Sequence, residues 1–98
     1  MTGNNTSFAW DPRKAHSNLK KHGISFTEAR TAFLDENALL INDPDHSQEE
    51  DRFILLGFSH KLRVLIICYS EEGHVIRIIS ARKATRSERR QYQERQAK

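Results

Sequence analysis

Three apolar runs in close succession, residues 52–59, 62–70 and 74–81, leave this chain few ways to fold. Each is rich in β-branched or aromatic residues, as strands are. The links between them, His60-Lys61 and Glu71-Glu72-Gly73, are far too short for a crossover, so neighbouring strands have to run antiparallel as a meander. A shorter run at 38–41 extends the sheet by one strand. The runs are apolar on both parities: Phe53 and Leu55 oppose Ile54 and Leu56, and Val64 and Ile66 oppose Leu65 and Ile67. Both faces of the sheet therefore have to be covered, at least in part.

The covering elements are readable from their ends. Phe8-Ala9-Trp10 is a short first strand that stops at Asp11-Pro12, a helix N-cap followed by proline at the first helical position. That helix runs to about His22, with Ala15 and Leu19 on one face, Arg13, Lys14, Lys20 and Lys21 on the outer face, and Gly23 to close it. Ser25-Phe26-Thr27-Glu28 has capping-box spacing, with Ile24 placed to staple against Ala29, and opens a second helix whose core face is Phe26, Ala29, Ala32 and Phe33. Asp35-Glu36-Asn37 breaks it. A second capping box, Thr85-Arg86-Ser87-Glu88, opens a last helix through Tyr92 toward Arg95. The expected fold class is α+β: an antiparallel sheet with two N-terminal helices packed on it and a C-terminal helix, in the order β-α-α-β-β-β-β-α. Ninety-eight residues make one domain, 1–98, with an ordered core over about 8–95 and any active site on the surface. The one cysteine, Cys68, sits in an apolar run and reads as core, so packing alone stabilises the fold. A polar N-terminus and the lack of a long apolar run point away from secretion and from membranes, toward the cytoplasm.

Charge is divided unevenly. Residues 1–76 carry eight Lys/Arg against eleven Asp/Glu, whereas residues 77–98 carry eight against two. A single-sign cluster of this kind concentrates a polyanion and speeds its encounter, which makes nucleic acid the expected partner. Lys20, Lys21, Arg52, Arg86, Arg89 and Arg90 are the cations expected to contact RNA. A solvated basic helix would carry the same charge without binding anything.

RNA can be cut without a metal if its 2′-hydroxyl is deprotonated, the neighbouring phosphate is stabilised and the leaving oxygen is protonated. Arg77 lies mid-strand between Ile76 and Ile78, where a cation needs solvent, a ligand or a carboxylate such as Asp51 or Glu72. Arg63 poses the same question at the edge of the neighbouring strand. Arg82-Lys83 leads from the last strand to Thr85, where the helix amides can bind a phosphate, so guanidinium, ammonium and helix dipole together suit a dianionic phosphorane. Packed chain-end charges in water are the plainer alternative. His46, beside Asp45 on a polar loop, can titrate near neutrality and is the candidate acid or base. No metal-ligand signature is present: Asp43, Asp45, Glu49 and Glu50 read as a solvated acidic loop, and no cofactor is expected.

Phe8-Ala9-Trp10-Asp11, Lys14, Asn18, Lys21-His22-Gly23-Ile24-Ser25-Phe26, Asp45-His46-Ser47, Glu50, Arg52, the run from Ile76 to Thr85 and Glu88-Arg89 resemble the BrnT toxin family, in register over roughly residues 8–92. The resemblance implies a RelE-like ribonuclease toxin of a type II toxin–antitoxin pair. It also implies a hetero-oligomer with a BrnA-like ribbon-helix-helix antitoxin, through which alone operator DNA is bound. On the chain it implies that His46, Arg63, Arg77, Arg82 and Lys83 line the RNA-cleaving face, with acid and base unassigned. One departure is Ser59-His60-Lys61, which stands where a glycine-containing turn is expected. The functional expectation is thus a metal-independent endoribonuclease acting on mRNA, at the ribosome or apart from it. A non-catalytic nucleic-acid-binding regulator and a protein-interaction module remain the rival classes.

Overall fold

The computed structural model describes residues 6–41 and 52–96. Its elements follow the expected order: β1 (Ser7–Ala9), α1 (Pro12–His22), α2 (Phe26–Ala32), β2 (Leu39–Ile41), β3 (Arg52–Phe58), β4 (Val64–Glu72), β5 (Val75–Lys83) and α3 (Arg86–Gln96). The five strands form one sheet in the order β1-β5-β4-β3-β2. Strands β2 to β5 are antiparallel neighbours, as the short β3–β4 and β4–β5 links require of three of them, but β1 pairs parallel to β5. That parallel edge is the one departure in topology. α1 and α2 lie between β1 and the rest of the sheet in the chain, and so allow a strand to return alongside β5 in the same direction.

The two parities of the strands build two cores. Leu55, Leu65, Ile67, Tyr69, Ile78 and Ala81 meet Ile24, Phe26, Ala29 and Ala32 on the side of α1 and α2. Ile54, Leu56, Val64, Ile66 and Cys68 meet Ala84 and Tyr92 on the side of α3. Space under α2 is tight at Gly57, where a Cβ would lie 2.9 Å from the carbonyl oxygen of Ala32. α3 is anchored chiefly by polar contacts. The Tyr92 hydroxyl donates to Asp35 at 2.5 Å, its ring stacks on Phe58, and Gln96 reaches the Asn37 carbonyl. Burial and the neighbouring Asp35 carboxylate push the Tyr92 hydroxyl up to about 12.

Three local features explain how the strands present their charges. Leu19 does not face the core: it is 48% exposed, and Asn18 is buried in its place. The Asn18 amide donates to the carbonyls of Ile24 and Ala81, and its oxygen accepts the Ala81 N–H at 3.0 Å. A side chain thus serves as strand partner where β1 ends, and α1 is rotated to supply it. At the β3–β4 turn, Leu62 takes the left-handed backbone conformation (φ 63°) that a glycine would adopt without strain. The third feature is a β-bulge. Cys68 pairs with Ser80 but Tyr69 pairs with Ile78, so β5 carries one extra residue at Ile79.

Candidate nucleic-acid interface

The bulge decides which cations share a face. Arg82 lies five positions after Arg77, and strict alternation would send them to opposite sides. With the extra residue, Arg77 pairs with Ser70 and Arg82 with Ile66, two β4 residues of the same parity, so both arginines stand on the α3 side of the sheet. Ser70 also pairs with Arg52 on β3. Arg52, Ser70 and Arg77 therefore form one row across three strands, with a hydroxyl between two guanidinium groups. Adjacent strands lie about 4.8 Å apart, which puts the two arginines roughly 10 Å apart at the backbone, a span that suits the oxygens of a phosphodiester. Arg77 is exposed and makes no ion pair among the described residues, Glu72 included. Ser70 had no signal in the sequence, because a lone serine in a strand acquires meaning only from its cross-strand neighbours.

Arg82 and Lys83 part company. Lys83 pairs with Leu65 and so lies on the α1–α2 side, exposed, while Arg82 turns to the other face. Arg82 donates from Nη1 and Nη2 to the two oxygens of Glu88 at 2.8 and 3.0 Å, and from Nη1 to the Lys83 carbonyl. Glu88 also accepts the Thr85 N–H at 2.8 Å, and its own N–H donates to the Thr85 hydroxyl. The capping box is complete, and the anion expected at the start of α3 is supplied by the chain itself. The Arg82 hydrogen bonds lead in holding the Glu88 carboxyl at about 2, against a partial burial that works the other way.

Arg63 belongs to the opposite face. It donates from Nε and Nη2 to Glu28 at 2.8 and 2.6 Å. Glu28 is 1% exposed and also accepts the Ser59 hydroxyl. The sequence marked Glu28 as the far end of a capping box. Only half of that box forms: Glu28 N–H donates to Ser25 Oγ, while the carboxylate turns inward to Arg63. Arg63 holds that carboxyl below its usual range despite burial, and the pairing raises Arg63 in turn. The pair ties the β3–β4 turn to α2, helped by the His60 N–H donating to the Thr31 hydroxyl.

Of the remaining expected residues, Lys20 and Lys21 are exposed on the last turn of α1, and Arg86, Arg89 and Arg90 on α3, where Arg89 donates to the Ala84 carbonyl. His46 and the acidic loop around it lie outside the described residues. Among the described residues no group of three or more His, Cys, Asp or Glu is placed to hold a metal ion. The structure thus gathers Arg52, Arg77 and Arg82 on one face, and sets Arg63 and Lys83 on the other.

The family model described as "Ribonuclease toxin, BrnT, of type II toxin-antitoxin system" matches residues 10–88. Among solved structures, the 1.1 Å crystal structure of the Brucella abortus ribonuclease toxin BrnT is similar, with a TM-score of 0.65 and 21% sequence identity, over 83% of this chain and 99% of that one. At that identity the likeness speaks for the fold. No curated protein sequence matches.

Proposed function

Since the chain belongs to the BrnT family of ribonuclease toxins of type II toxin–antitoxin systems, we propose that it is a metal-independent endoribonuclease whose cleavage face is the α3 side of the sheet. The observation that carries this is the row Arg52–Ser70–Arg77, with Arg82 on the same face and Arg77 exposed and unpaired among the described residues. The RNA 2′-oxygen attacks the adjacent phosphorus while the bond to the 5′-oxygen breaks, leaving a 2′,3′-cyclic phosphate and a 5′-hydroxyl. One proton leaves the 2′-hydroxyl and another reaches the 5′-oxygen. Arg77 and Arg52 stabilise the extra charge on the phosphorane oxygens, since arginine is protonated throughout and forks onto phosphate. His46 is the proposed proton carrier because its ordinary range spans neutrality. Lys83 and the α1 lysines Lys20 and Lys21 guide the RNA backbone by charge, as do Arg86, Arg89 and Arg90. Arg63 acts in this reading through its hold on Glu28 and the β3–β4 turn.

The family places the chain beside an antitoxin and gives it RNA as substrate. In the proposed form, the antitoxin is a BrnA-like ribbon-helix-helix protein, the complex binds its operator through that partner alone, and the pair works in the cytoplasm on mRNA. The chain would form a single RelE-like domain. No described helix is long and apolar enough to cross a membrane. The test is induced expression of wild type and Arg77→Ala with RNA 5′ ends mapped in both. New 5′-hydroxyl ends in the wild type alone support the reading. Growth arrest with intact RNA overturns it and favours a non-catalytic binding protein.

A further inference from the structure

Beside the edge strand β1, on the α2 side, Thr6, Ser7, Phe8, Arg30, Thr31 and Leu34 line an open groove of about 560 Å³, within the ~300–1,000 Å³ of small-ligand pockets. The Arg30 guanidinium lies over the Phe8 ring, 5.9 Å from its centroid. The ring itself is held edge-on by Phe33, which in turn meets Tyr69. Phe8 is therefore a fixed platform beneath the cation. Leu34, an apolar side chain 81% exposed, forms the far wall. The Thr31 hydroxyl is already engaged with Glu28 and His60, which leaves Thr6 and Ser7 as the hydroxyls able to meet a ligand.

We propose that this groove takes one unpaired nucleobase of the RNA beside the bond being cut, stacked on Arg30 and walled by Leu34. The inference rests on the ribonuclease reading above and adds a base-selective subsite to it. Position supports it: Ala9 on β1 pairs with Arg77 while Phe8, its neighbour, points to the groove side. A single strand bent over this three-residue edge can lay a phosphate on Arg77 and the next base against Arg30. Chemistry supports it too. A guanidinium and two hydroxyls beside only two large apolar side chains suit a base, which stacks on arginine or aromatic planes and hydrogen-bonds at its edges.

Arg30 and Leu34 are exposed, so their replacement leaves the fold intact, which thermal melting verifies. Two readouts test the proposal: binding of a short 2′-O-methyl RNA, which cannot be cut, and mapped cleavage ends. Arg30→Ala and Leu34→Ala are each expected to weaken binding by about fivefold or more, to raise KM more than they lower kcat, and to relax base preference at one position next to the cut. Wild-type affinity and an unchanged cleavage pattern in both variants would overturn the subsite. Retained RNA binding with lost neutralisation by the antitoxin would also overturn it, and would make the groove a protein-docking surface. If the wild type cuts no RNA, the nuclease reading fails, and the binding readout alone decides whether the groove holds a base.

Discussion

Arg63 closes two hydrogen bonds, at 2.8 and 2.6 Å, on the carboxylate of Glu28, which is almost wholly out of water. Removing one member of such a pair leaves an uncompensated buried charge, at a cost of about 3–5 kcal/mol. Arg63→Ala is therefore expected to lose about that much in urea denaturation, and the double change Glu28→Leu, Arg63→Met to recover most of it. Wild-type stability in Arg63→Ala would show that the pair does not hold the turn.

Arg77 behaves oppositely, since its side chain is exposed and contributes little to the fold. Arg77→Ala is expected to melt within about 0.5 kcal/mol of wild type and to bind the antitoxin, yet to lose growth arrest and RNA cleavage by about a hundredfold or more. Arg77→Lys recovers only part, because an ammonium cannot fork onto two phosphate oxygens. Full toxicity of Arg77→Ala would remove the row from the mechanism.

Acid sensitivity follows from three carboxylates. Glu88 sits at about 2, held down first by Arg82. Glu28 is lowered first by Arg63, and Asp35 is lowered by hydrogen bonds from Tyr92, Asn37 and Phe58 that outweigh its burial. Folding prefers each of them ionised. The stability they contribute is complete above their unfolded values, near 4, and is lost as pH falls from there through the folded values. Glu88→Gln should flatten the part of this loss between about 4.5 and 2, read as the thermal midpoint against pH. An acid limb as steep as that of the wild type would contradict the assignment.

Leu62 tests backbone strain apart from contacts. It is 75% exposed and left-handed at φ 63°, a conformation costing a non-glycine residue about 1–2 kcal/mol. Leu62→Gly is expected to raise stability by up to about 1 kcal/mol, after the extra freedom of the unfolded chain is offset. A destabilised variant would mean that the leucine side chain contributes a contact of its own.

The elements and their order were legible because their signals are local. Asp11-Pro12 starts α1 and Thr85-Glu88 caps α3 through neighbours within four residues, and the meander follows from the shortness of its links. What stayed hidden depends on distance in sequence. Asn18 is buried because of Ala81, sixty-three positions away, and Glu28 abandons its capping role for Arg63, thirty-five away. The grouping of cations was misleading for the same reason: Arg82 and Lys83 read as one phosphate clamp by adjacency, yet adjacent strand residues face opposite ways, while Arg77 and Arg82 share a face only through a bulge seen in the pairing.

That bulge makes residue count as consequential as residue identity in this stretch. Deleting Ile79 would keep every cation in the chain and every β4 partner, and restore plain alternation from Arg77 onward. Arg82 would then stay on the α3 side, four positions after Arg77, with Ala81 and Lys83 still toward α1 and α2. A relative of this chain that is one residue shorter between its two arginines thus shows the same charged face from a plain strand, whereas one of equal length without the bulge turns its second arginine to the other side. Length and bulge together, rather than the landmarks alone, are what such a comparison has to preserve.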